Sequence, residues 1–123
     1  MTGLVAAALA AALQPAADIN EGMRAWRECV ACHALEPGHS SPAGPALDAI
    51  VGRPVAALPG FNYSPALRRF AAANPRWSPD LLDRFLANPE ATVPGTEMGY
   101  VGMADPARRR ALIAWLAVPR RRN

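Results

Sequence analysis

Two long stretches of this 123-residue chain are kept out of regular structure by their prolines and glycines. Residues 34–60 hold Pro37, Pro42, Pro45 and Pro54 together with Gly38, Gly44 and Gly52, and residues 90–103 are a second irregular stretch. What remains between them is short and helical in pattern. Asp18-Ile19-Asn20-Glu21 fits a capping box, and Met23, Trp26 and Val30 follow at helical spacing, which predicts a helix over about 19–31. Asn62 to Ala73 reads as a short helix around Leu67 and Phe70. Ser78-Pro79-Asp80 starts a third, with Leu82, Phe85 and Leu86 on its buried face and Asn88-Pro89 at its end. Asp105-Pro106 starts a fourth, lined by Ala111, Leu112, Trp115 and Leu116 and stopped near Pro119. No segment reads as a strand. The expected class is therefore all-α, about four short helices joined by long loops. An aromatic content of 7% and 13 prolines exclude a large β-sandwich or a long coiled coil, and 51% hydrophobic residues exclude a disordered tail. Four short helices do not easily cover irregular segments of 27 and 14 residues. A bulky apolar ligand at the centre would give those loops a surface to pack on.

Charge and the chain ends narrow the partners. All 13 basic residues are Arg, for a formal net charge of +3. Residues 104–123 carry six Arg and one Asp, whereas 18–103 carry seven Arg and nine acids. A solvated helix end with a basic tail at 120–123 explains this excess more simply than nucleic-acid binding. Leu4 to Leu13 is an unbroken run of small apolar residues, followed by Pro15-Ala16-Ala17. Residues 1–17 are expected to be an export-signal remnant or an Ala-rich extension, with a domain over 18–119 and a periplasmic location. The run is shorter than the roughly 18 residues of a membrane span, so membrane contact is expected only if this segment is retained.

The only cysteines are Cys29 and Cys32, too close in sequence for a bridge between them to staple distant parts. They sit in Cys29-Val30-Ala31-Cys32-His33, a C-x-x-C-H run, which is the pattern of c-type haem attachment. Residues three apart at a helix end share a face, so both thiols can reach the two vinyl groups of one porphyrin. His33 then falls beneath the ring and offers a nitrogen to iron. Two rival readings use the same residues. A dithiol redox site shares the C-x-x-C spacing but usually follows a strand. A zinc site would need Cys29, Cys32, His33 and His39, without a second ligand pair from a distant segment. For the second axial position the candidates are Met23, Met98, Met103 and His39. The spacing leaves Met98 and Met103 nearly tied.

Further motifs follow in order along the chain. Gly22 and Trp26 precede Cys29. Gly44-Pro45-Ala46-Leu47, Gly52-Arg53, Pro59-Gly60-Phe61-Asn62-Tyr63-Ser64, Trp77, Asn88-Pro89, Pro94-Gly95-Thr96-Glu97-Met98 and Leu112-Ile113-Ala114-Trp115-Leu116 come after it. Together these resemble the class I cytochromes c of the mitochondrial and bacterial cytochrome c2 type, over about residues 18–118. The resemblance implies the class I cytochrome c fold wrapped around one covalently bound haem c. It implies thioethers at Cys29 and Cys32, His33 as proximal ligand and Met98 as distal ligand. Pro45 resembles the residue whose carbonyl accepts from the proximal ring, and Tyr63 and Trp77 resemble donors to one haem propionate. Arg53 resembles the arginine compensating that charge, and Thr96 the threonine near the second propionate. Gly22 would let the first helix cross the last near Leu112 and Trp115.

Two departures stand out. Phe85 occupies a position where eukaryotic members place Tyr, and Glu28 and Glu97 stand where Lys is common. The implied function is one-electron transfer between respiratory or photosynthetic redox proteins, by a monomer that docks transiently at its haem edge and turns over no substrate. Other readings are an accessory haem subunit of a dehydrogenase or oxidase, contacting it through Arg108, Arg109 and Arg110, and a small haem peroxidase or gas-binding protein.

Overall fold

A computed structural model describes residues 15–119; residues 1–14 of the expected leader and the tail 120–123 lie outside the described residues. Five helices are present among them: α1 Pro15–Trp26, α2 Pro65–Ala73, α3 Pro79–Ala87, α4 Pro89–Thr92 and α5 Pro106–Ala117. No strand forms there; the extended contacts are isolated bridges, Ser41 with Gly44 and Pro54 with Arg76.

One local rule starts four of the five helices. Ser64, Ser78, Asn88 and Asp105 each cap with a side-chain oxygen, and a proline follows at the first helical position. The cap satisfies an orphan backbone N–H, and proline has no N–H to satisfy. Asn88 serves twice, ending α3 and capping α4. The one-turn helix α4 falls in a stretch expected to be irregular, although Asn88-Pro89-Glu90 repeats the signature of Ser78-Pro79-Asp80.

α1 departs most from expectation. It is described from Pro15, so Asp18 lies within the helix rather than ahead of it. It ends at Trp26 rather than near residue 31. Beyond it the chain tightens into turns, with Arg27 N bonded to Arg24 O, Glu28 N to Ala25 O and Cys29 N to Trp26 O at 2.9–3.2 Å. The buried face also differs: Met23 is 50% exposed and Val30 54% exposed. Of the α1 residues whose burial is described, Gly22 and Ala25 are buried, because this helix meets α5 at very close range. A Cβ at Gly22 would lie 2.5 Å from both the Ala111 carbonyl oxygen and the Trp115 Cβ. The crossing therefore needs a residue without a side chain, as the family resemblance implied. Trp26 and Trp115 stack beside it with ring centroids 5.7 Å apart.

The core draws Leu81, Leu82, Phe85 and Leu86 from α3 and Leu112, Ile113 and Leu116 from α5. Trp77, Ile50, Val55, Val93 and Met103 complete it from the loops. The first long loop is fastened to the strand-like stretch before α3. Gly52 N donates to Trp77 O at 2.7 Å, Trp77 N to Arg53 O at 2.9 Å, and Val55 N to Pro75 O at 2.9 Å. That pairing holds the loop open around a central cavity.

Candidate cofactor site

The cavity is walled by Leu82, Phe85 and Leu86 of α3, by Leu112 and Leu116 of α5, and by both long loops. Cys29, His33, Pro45, Arg53, Tyr63, Trp77, Thr96 and Met98 all line it. Eight of the nine residues expected from the sequence thus meet in one place. The ninth, Cys32, is exposed and not among the lining residues. Met103 is not at the cavity either; it is 4% exposed within the core, with its N–H on the Leu86 carbonyl at 2.8 Å. Met23 lies on the outer face of α1. Of the candidate methionines that spacing left open, Met98 is the one that lines the cavity.

His33 is the most tightly defined group. Its Nδ1 donates to the Pro45 carbonyl at 2.7 Å, which leaves Nε2 with its lone pair. Burial lowers its pKa against the opposing pull of the Pro45 bond, which favours the neutral ring, the form that binds a metal. The loop carrying Pro45 is pressed onto the ring. A Cβ on Gly44 would lie 2.7 Å from His33 Cε1 and 2.7 Å from the Cys32 carbonyl oxygen. Leu47 N to Ala34 O at 2.8 Å and Ala46 N to Ser40 Oγ at 2.9 Å lock the loop from either side.

No disulfide joins Cys29 and Cys32. Burial first, then the charges of Glu28 and Cys32, push the Cys29 thiol up to about 11. That shift is away from thiolate, and the C-x-x-C run follows a helix and turns rather than a strand, so nothing here favours a dithiol redox site. The zinc reading fails. Among the described residues no three His, Cys, Asp or Glu side chains are grouped to hold a metal ion, and His39 is exposed, 3.3 Å from Glu36.

The polar residues at the cavity are each held by a neighbour. Tyr63 is buried; its hydroxyl accepts from Leu58 N at 3.2 Å and keeps its own proton to donate. Trp77 is buried between Phe70 and Phe85, with ring centroids 6.5 and 5.2 Å away. The guanidinium of Arg53 donates to the Ala46 carbonyl at 2.8 Å and to the Asp48 carbonyl, with the Asp48 carboxylate 3.5 Å away. Thr96 accepts from Met98 N at 3.2 Å and so closes a small turn on Met98.

Sequence reasoning missed three supports. Asp48 flanks Arg53, and Glu90 accepts from Gly95 N at 3.0 Å. Tyr100 donates to Glu28 at 2.8 Å. Its phenol is held above the usual range by burial and by that acceptor. An acid directly after an Asn-Pro cap site hints at no such role, and the Tyr100 pair spans 72 residues. Two assignments also change. Glu28 is engaged inside the molecule by Tyr100 and by Arg108 at 2.8 Å. Of the three arginines offered as a contact face, Arg109 binds Asp83 and the carbonyls of Met103 and Ala104, leaving only Arg110 exposed.

An apolar cavity with a neutral, oriented imidazole, a thioether and a thiol at its wall suits a metalloporphyrin better than any solvated ligand. The fold and the donor set define a small helical haem protein. Its similarities agree. Cytochrome c2 from Rhodomicrobium vannielii is 37% identical over 116 residues, covering 93% of this chain and 90% of its own length. Cytochrome c2 from Rhodopila globiformis is 38% identical over 103 residues, covering 83% of this chain and 93% of its own length. Among solved structures, cytochrome cH from Methylobacterium extorquens matches with a TM-score of 0.70 at 33% identity, over 79% of this chain and 94% of that one. No family model matches the chain. The chain belongs to the class I cytochrome c family, whose members carry a covalently attached haem c and transfer single electrons.

Proposed function

We propose that this chain is a periplasmic one-electron carrier with His33 and Met98 as axial ligands. The bound haem supplies the one-electron couple. The protein's part is to hold two donors of unlike softness and to exclude water. His33, fixed by Pro45, presents one nitrogen in a set direction. Met98 presents a soft sulfur, which favours the reduced metal and a high potential. Cys29 and Cys32 are the attachment points. Tyr63 and Trp77 are the donors toward one carboxylate of the group, Arg53 balances its charge, and Thr96 serves the second. The leucines of α3 and α5 keep the interior dry.

The observation that carries this reading is the convergence of His33 and Met98 on one cavity from separate segments. The peroxidase and gas-binding readings lose support, since His39 is exposed and outside the cavity. The accessory-subunit reading loses its contact face, since Arg108 and Arg109 are engaged internally. No helix among the described residues is long and apolar enough to cross a membrane. The apolar run Leu4–Leu13 supports an export leader over residues 1–17. Transient docking of a monomer to redox proteins follows from a carrier's need to release its partner.

A redox-titrated visible spectrum of the matured protein tests the assignment. The oxidised form should show a sulfur-to-iron charge-transfer band that Met98→Ala removes and Met103→Ala keeps. The reverse pattern refutes Met98 as ligand.

A further inference from the structure

The segment bearing Met98 is fastened unevenly. On its near side the bonds are local: Thr96 N to Val93 O, Gly95 N to Glu90 Oε1, and Met98 N to Thr96 Oγ1. On its far side Met103 N reaches Leu86 O, and Arg109 grips the carbonyls of Met103 and Ala104. Between Met98 and Met103 the chain reads Gly99-Tyr100-Val101-Gly102. Val101 is 90% exposed and anchors nothing. Among the described residues, the hydrogen bond that ties this stretch to a remote part of the chain runs from the Tyr100 hydroxyl to Glu28 Oε1. The ring itself packs half-buried against the core.

The acceptor is held ready. Glu28 directly precedes Cys29, and its second oxygen is 2.8 Å from Arg108 Nη1 on α5. Arg108 lies in turn 3.4 Å from Glu21 on α1. The carboxylate is thus oriented by two other elements before Tyr100 meets it, so forming the bond costs little further ordering.

We propose that Tyr100 is a positioning residue for Met98. Its bond to Glu28 latches the methionine loop onto the segment that carries both cysteines, and so sets how readily Met98 gives up its place to another ligand. The inference rests on the reading of Met98 as distal ligand. A single bond from a short segment bounded by Gly99 and Gly102 makes a latch that opens without unfolding the rest.

The test uses the oxidised, haem-bearing protein and imidazole as competing ligand, followed by loss of the sulfur-to-iron band. Tyr100→Phe keeps the ring and removes the donor; imidazole should bind about tenfold more tightly, the size expected for one hydrogen bond to a charged acceptor. Glu28→Ala should give a similar gain, and the double variant should not exceed the larger single by more than about twofold, because both remove the same Tyr100–Glu28 bond and the Arg108 pair that Glu28→Ala also loses does not touch the methionine loop. Imidazole affinity within about twofold of the unaltered protein for Tyr100→Phe, or gains that multiply in the double variant, overturn the latch. A merely structural role would lower the guanidinium midpoint while leaving imidazole affinity in buffer unchanged, and that result also overturns it. Absence of the band in the unaltered protein would instead refute Met98 as ligand, and it shows before any variant is made.

Discussion

The two walls of the cavity hold their donors in different ways. On the His33 side the imidazole is bonded to a backbone carbonyl, pressed by a glycine with no room for a methyl group, and backed by a loop with main-chain bonds on both flanks. On the Met98 side the donor sits in a turn-rich segment with main-chain bonds at Thr96 and Met103, and the bonds nearest the donor involve the side chains of Thr96, Glu90 and Tyr100. Main-chain bonds inside a packed loop break only with the loop, whereas side-chain bonds near solvent open singly. One wall is built to stay and the other to yield, so under the proposed ligation ligand exchange would fall on the Met98 side.

Variants on each wall can break that contrast. Gly44→Ala should have the largest effect: the added methyl meets a backbone carbonyl and the His33 ring, and the cost should be about 3 kcal/mol in a guanidinium unfolding curve. A loss below about 1 kcal/mol would mean the His33 wall yields too. Met98→Ala should follow, at about 2 kcal/mol from lost packing, together with loss of the sulfur-to-iron band. Thr96→Val removes the acceptor for Met98 N and should cost about 1 kcal/mol while leaving His33 undisturbed, as judged by the proton resonances of its ring. Glu90→Gln keeps an acceptor for Gly95 N at an exposed site and should cost no more than about 0.5 kcal/mol by the same curve. A ranking in which the last two exceed Gly44→Ala would reverse the comparison.

Much of this was legible in the residues because the relevant signals are local. Ser78-Pro79 and Asp105-Pro106 start helices for reasons contained within four residues, and α3 and α5 begin where expected. Cys29, Cys32 and His33 stand out by spacing, and the structure brings Cys29 and His33 to the cavity while Cys32 stays exposed. What escaped depends on distant neighbours. The buried face of α1 could not be read from its large apolar residues, because close approach to α5 gives the interior to Gly22 and Ala25 and turns Met23 outward. Met98 and Met103 could not be separated by spacing, because an irregular loop has no period; the cavity receives one and the core the other. The family resemblance selected Met98 where periodicity did not. Nor could Glu28 be paired with Tyr100 from sequence, since nothing local marks a partner 72 residues away.

The contact between Gly22 and Ala111 has a consequence for how the molecule survives damage. It joins the first and last helices of the described residues across 89 positions (111 less 22), a closure that costs about 4 kcal/mol of chain entropy and therefore needs strong packing to persist. The fastening lies at the two ends of the described chain and not in its middle. A protease that nicks one exposed loop would then produce two pieces still clasped by α1 and α5, and the pigment-bearing piece would elute from a sizing column with its partner until denaturant parts them.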